Sequence, residues 1–82
     1  MQRVSEMSLI DAMVTEIKDL MPELAEREIS GVDSLKDLGL NSMDRVDVIM
    51  AAQNEAGANL PMTQFVQARN IGDIARRLLE AV

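Results

Sequence analysis

The run Leu38-Gly39-Leu40-Asn41-Ser42-Met43-Asp44-Arg45-Val46-Asp47-Val48-Ile49 decides how this chain of 82 residues is read. Its glycine permits a tight backbone turn, and its serine stands where an amphipathic segment begins. That segment is predicted as a helix from about Ser42 to Ala56, with Gly57 at the position that commonly terminates one. Counting about 100° per residue from Met43, the inward arc holds Met43, Val46, Ile49 and Met50. Asp44, Val48, Ala51 and Glu55 fall on the opposite side, flanked by Arg45 and Asp47, so Val48 reads as an apolar residue exposed in an acidic stripe.

Working back from the run, Pro22 to Leu40 reads as a long connection, which a small domain tolerates when apolar residues pin it to the core. Leu24, Ile29, Val32, Leu35, Leu38 and Leu40 are the predicted pins, and Asp33 or Ser34 starts one short helical turn before Gly39. Before Pro22, Ile10, Met13, Val14, Ile17, Leu20 and Met21 recur at helical spacing, with Ser5 or Ser8 available as the cap. Working forward, Met62 to Ala68 has room for one or two helical turns, capped by Thr63 and anchored by Phe65 and Val66. A last helix starts at a cap on Asn70, with Asp73 three residues on, and carries Ile71, Ile74, Ala75, Leu78, Leu79 and Val82 inward. The predicted fold is all-α, a small four-helix bundle with three long helices, a short third helix and a long first loop, formed by residues 1–82 as a single domain. Met13, Met21 and Met50 read as core filler.

Composition removes whole classes of mechanism. The chain has no His, Cys, Trp or Tyr, and Phe65 is its only aromatic residue. Without His no side chain titrates near neutrality unperturbed, and without Cys there is no thiol nucleophile, disulfide or zinc site. These absences argue against an autonomous enzyme. Eight Lys and Arg against fourteen Asp and Glu leave a net charge of −6, which repels nucleic acid. The longest uncharged stretch, Ala56 to Ala68, is 13 residues and carries Gly57 and Pro61, too short and broken to span a bilayer. The expectation is a cytoplasmic monomer that binds neither metal nor membrane.

With enzyme-type groups missing, the five serines are the places that could accept chemistry from elsewhere. Ser5, Ser8 and Ser30 have ordinary readings as caps or loop residues, and Ser34 opens a turn with only four residues before Gly39. Ser42 follows a Leu-Gly turn and precedes a long helix, where unpaired amides and the positive helix end favour an esterified phosphate. On the residues alone, a cap and an attachment point both remain open for it.

The run from Leu38 to Ile49 closely resembles the acyl carrier protein signature, in which a Leu-Gly-x-Asp-Ser-Leu-Asp/Glu-x-Val-Glu pattern surrounds a modified serine. Helix order, acidity, the long first loop, Leu60-Pro61 and the Ile71-Gly72-Asp73-Ile74 helix start agree with it along nearly the whole chain. The resemblance implies that Ser42 holds a 4′-phosphopantetheine arm, derived from coenzyme A by a phosphopantetheinyl transferase. The arm supplies the thiol that the sequence lacks. Two departures stand out: Asn41 replaces the usual Asp, and Met43 replaces the usual Leu, a nearly volume-conserving exchange in the core. Arg45 adds a cation where such carriers are almost purely acidic.

The resemblance further implies that the second helix docks on basic patches of partner enzymes, which makes Asn41, Met43, Asp44, Arg45, Asp47 and Val48 the candidate partner-binding residues. Asn41 to Asp47, with Phe65 to Asp73, is similar to free-standing carriers of polyketide β-branching cassettes. Those carriers receive malonyl from an acyltransferase, a decarboxylating ketosynthase-like enzyme converts it to acetyl, and the acetyl thioester goes to a 3-hydroxy-3-methylglutaryl (HMG) synthase-like enzyme. The competing readings are a general fatty-acid or polyketide chain carrier, and a non-covalent acidic helical adaptor in which Ser42 is only a cap.

Overall fold

The computed structural model describes residues 4–81. Its α-helices are α1 (Glu6–Leu20), α2 (Ser42–Ala56) and α3 (Ile71–Ala81), and α1 packs more extensively on α2 than on α3. Two short 3₁₀ turns, Pro22–Leu24 and Met62–Phe65, interrupt the connections. The expected short third helix is therefore a single 3₁₀ turn. It begins at Pro61 without a side-chain cap, so Thr63 lies inside it rather than capping it. No described helix is long and apolar enough to cross a membrane.

α1 starts at a capping box made by two serines. The Ser5 hydroxyl accepts from the Ser8 amide and the Ser8 hydroxyl from the Ser5 amide, both at 3.1 Å. This pairing satisfies two amides near the helix start. From there Leu9, Met13 and Ile17 repeat every four residues and are fully buried, while Ile10, Leu20 and Met21 pack at the edge of the core. α3 contributes Ile71, Ile74, Ala75 and Leu78, with Leu79 half-buried, as the periodicity predicts; Val82 lies outside the described residues.

α2 is rotated from its predicted phase. Val48 is 0% exposed and joins Ala52 and Ala56 on the face toward the core, whereas Met43 is 79% exposed, Met50 is 50% exposed and Val46 is also exposed. The inward arc is thus built of one valine and two alanines spaced by four, with Ile49, of the predicted arc, half-buried against the core at its edge. Small residues there let α1 approach closely, and the large residues lie outside, which is why ranking by apolar size picked the wrong face. Met50 is not core filler, and Met43 does not replace a packed leucine. Buried Gln53 occupies the flank of the inner face, where its amide nitrogen donates to the Leu60 carbonyl at 3.1 Å and its amide oxygen accepts from the Leu60 amide. One side chain thereby satisfies the backbone of the next connection and fixes it against α2.

The long loop is pinned by buried Leu35, Leu38 and Leu40 and by half-buried Leu24 and Ile29, but Val32 is 83% exposed and pins nothing. A single helical turn runs from Ser34. The Leu40 amide donates to the Leu35 carbonyl at 3.2 Å and the Gly39 amide to the Lys36 carbonyl at 3.0 Å. Gly39 at φ 97° makes this a Schellman ending, with Leu40 packed back toward Leu35. The loop also closes the start of α3: the Ile71 amide donates to the Asp33 carbonyl at 3.0 Å and the Gly72 amide to the Gly31 carbonyl at 2.7 Å. A β-carbon on Gly72 would meet that Gly31 oxygen at 3.0 Å, so any side chain there would push the loop away from α3 by a few tenths of an ångström. Phe65 is buried beside these elements, whereas Val66, the other predicted anchor, is 73% exposed.

Candidate functional site

The Schellman turn at Gly39 delivers the chain directly into α2. Asn41 is the cap of that helix, its side-chain oxygen accepting from the Asp44 amide at 2.8 Å. Ser42 is therefore the first helical residue, and its hydroxyl is not engaged in capping. Asparagine in place of the usual aspartate still supplies the oxygen that a cap requires. The Ser42 and Met43 amides have no hydrogen-bond partner among the described residues. Arg45, one turn on, turns back so that its Nη2 donates to Ser42 Oγ at 3.2 Å.

The other serines differ. Ser5 and Ser8 are bonded to each other, and Ser34 Oγ accepts from the Asp37 amide at 3.4 Å in a single helical turn. The exposed hydroxyl that opens a 15-residue helix is that of Ser42. An attached phosphodiester fits there: the oxygen faces solvent, two amides beside it are free, and the nearest charged side chain contacting it is cationic.

A groove of about 620 Å³ opens next to Ser42. One wall is Arg45, Val46 and Ile49 of α2; the other is Met62, Phe65 and Val66, with Arg69 and Asn70 nearby. The clamp of Gln53 on Leu60 joins the two walls at the far end of α2.

Of the residues expected to meet partners, Asn41, Met43 and Asp47 are exposed and Asp44 and Arg45 are partly so, all in the first turns of α2 beside Ser42. Val48 is in the core and is removed from that set. The apolar component of this surface is Met43, Val46 and Met50, a stripe at intervals of three and four that the sequence reading had turned inward. Its one available signal was the run of alanines at positions 52 and 56, which marks the face of close helix contact.

At the entrance to α3, Asn70 is the cap, its side-chain oxygen accepting from the Asp73 amide at 2.8 Å. The Asp73 carboxylate accepts from the Arg69 amide at 3.0 Å and from Arg76 Nη2 at 2.6 Å. These contacts, the Arg69 amide foremost, hold the Asp73 carboxyl below its ordinary range.

The family described as "Phosphopantetheine attachment site" matches residues 12–78. The polyketide biosynthesis acyl-carrier-protein AcpK of Bacillus subtilis is 27% identical over 74 residues, 90% of both chains. The acyl carrier protein of Helicobacter acinonychis is 33% identical over 67 residues, 82% of both chains. Among solved structures, a chain from the curacin biosynthetic pathway HMG synthase in complex with acetyl donor-ACP superimposes with a TM-score of 0.82 at 29% identity, covering 96% of this chain and 100% of that one. The buried helical core, the Leu-Gly turn into α2 and these likenesses lead to one assignment: the chain belongs to the acyl carrier proteins, the family that bears 4′-phosphopantetheine.

Proposed function

We propose that Ser42 is the attachment residue and that the loaded chain donates acetyl to an HMG synthase-like enzyme in polyketide assembly. The observation that carries the first half is the exposed Ser42 hydroxyl at the first position of α2, spared from capping because Asn41 makes the cap. Loading needs a nucleophilic oxygen that a transferase can approach. Ser42 Oγ attacks the pyrophosphate of coenzyme A, an O–P bond forms there, the bond to the adenosine bisphosphate portion breaks, and the hydroxyl proton passes to a base of the transferase. The thiol at the end of the arm then supplies the thioester chemistry, and this chain contributes presentation without catalysis of its own.

The second half is supported by the structural likeness to the acetyl donor carrier and the sequence likeness to AcpK. Asn41, Met43, Asp44, Arg45 and Asp47 form the docking surface in this reading, joined by exposed Val46 and Met50. Acidic residues steer the encounter while the apolar stripe supplies contact area. Arg45 sets the chain apart from carriers that dock on strongly basic surfaces, where a cation beside the serine costs affinity. The likeness to the Helicobacter carrier supports a second reading, a general chain carrier.

One experiment separates them. Incubation with coenzyme A and a broad-specificity transferase adds the mass of one arm, and Ser42→Ala abolishes the addition while Ser34→Ala leaves it intact. The acetyl-loaded protein then transfers acetyl to an HMG synthase-like enzyme, and both Arg45→Glu and Asp47→Lys lower the rate. Labelling that survives Ser42→Ala overturns the attachment assignment. Equal service to a fatty-acid ketosynthase overturns the donor reading and leaves the general carrier.

A further inference from the structure

The cation at Arg45 runs against local electrostatics unless something anionic joins it. It lies in the first turn of α2, where the positive helix end disfavours a cation. In a chain of net charge −6 it forms no ion pair among the described residues, a lack it shares with Lys18, Lys36 and Arg69, but of these it alone lies in the first turn of an α-helix. Its side-chain hydrogen bond goes to Ser42 Oγ at 3.2 Å, toward the helix start rather than toward Asp44 or Asp47. A rule broken without a visible compensating contact is a sign of function.

We infer that Arg45 is an internal anchor for the phosphodiester on Ser42, a positioning residue that sets the direction in which the arm leaves the protein. This rests on Ser42 being the attachment residue. Arg45 already reaches the atom that is esterified, so it meets the anionic oxygens added there without leaving its present course along α2. A guanidinium is suited to this task because it offers several donors in one plane and keeps its charge at any working pH. The bond it now makes to a neutral hydroxyl becomes charge-assisted, and the opposition between cation and helix end is relieved by the anion lying between them. Arg45 also lines the groove with Val46 and Ile49. Anchoring at that wall biases the arm toward the groove mouth. The contact also partly neutralises the phosphate that a docking enzyme meets, so the surface beside the serine changes character on loading.

The test uses the full chain loaded from coenzyme A, in wild type, Arg45→Gln and Arg45→Lys, with intact mass confirming one arm on each. The phosphodiester is the only phosphorus in the loaded protein, so its ³¹P resonance reports on the contact directly. In wild type that resonance is displaced from its free position, that of an unstructured serine peptide carrying the same phosphopantetheinyl phosphodiester, and moves back as salt is raised. In Arg45→Gln it lies close to the free position and loses most of its salt response, and Arg45→Lys restores part of the displacement. Lys18→Gln, which removes a cation on α1 outside the groove that Ser42 and Arg45 line, leaves the wild-type signal. Fully loaded proteins whose ³¹P signals are the same in wild type and Arg45→Gln overturn the anchor while leaving the attachment site intact. An equal loss in Lys18→Gln also overturns it, because the effect is then one of net charge. Absence of mass gain in wild type, or gain that persists in Ser42→Ala, overturns both readings.

Discussion

Single residues at the two helix entrances control different things. Asn41 makes the cap of α2 and spares Ser42 from capping, whereas at α3 the cap on Asn70 is backed by Asp73, whose carboxylate takes the Arg69 amide and the Arg76 guanidinium. These contacts lower the Asp73 pKa in the folded state. A carboxyl with a depressed folded pKa contributes stability that is fully present above its ordinary value and is lost as pH falls through the folded one. Asp73→Asn is therefore expected to be less stable than wild type near neutrality, with the difference closing in acid below the ordinary aspartate range. Denaturant titrations of both proteins across that range check it, and a gap that stays constant with pH refutes it. Ser42 was legible at this scale because a Leu-Gly turn ahead of a long helix is a local pattern. The return of Arg45 toward Ser42 was not, since spacing does not say which of several neighbours a long flexible side chain selects.

At the scale of the element, α3 shows its inward face plainly because large aliphatic residues occupy it at intervals of three and four, and α1 does so apart from fully buried Leu9, which the predicted face leaves out. α2 does not: its contact face is Val48, Ala52 and Ala56, while Met43, Val46 and Met50 make the outer stripe. Alanine contributes little to a hydrophobic pattern yet permits the closest helix approach, so periodicity by size pointed the wrong way. The same limit applies to Val66 and Val32, whose apolar character says nothing about whether the adjoining turn faces inward. The rotation predicts contrasting stability effects. Val48→Ala removes buried methyl groups and is expected to cost about 2 kcal/mol. Met50→Ala lies on the exposed stripe and is expected to stay within about 0.5 kcal/mol of wild type. Equilibrium unfolding of both variants decides the phase, and the reverse order of stabilities restores the original one. If Met50 belongs to the docking surface, its loss is felt in transfer to the partner enzyme instead.

Across the whole molecule, the long loop and α3 hold one another. The all-α class and the order of elements were legible because the loop leucines at 35, 38 and 40 announce a pinned connection, but no sequence pattern reveals that two loop carbonyls meet the first amides of α3. Those bonds, from Ile71 to Asp33 and from Gly72 to Gly31, join parts of the chain far apart in sequence. The amides at the start of a helix have no acceptor in their own helix. In α2 the corresponding pair, Ser42 and Met43, is left without one among the described residues, while in α3 the loop supplies both. Hydrogen–deuterium exchange turns that contrast into a timekeeper. Ser42 and Met43 are expected to exchange at nearly the rate of an open chain. Ile71 and Gly72, although equally terminal, are expected to exchange only when the loop detaches, with an opening free energy approaching that of global unfolding. Each molecule thus carries two clocks at equivalent helix starts, one fast and one slow, and the slow one ticks only when the strap between residues 31 and 33 lets go of α3.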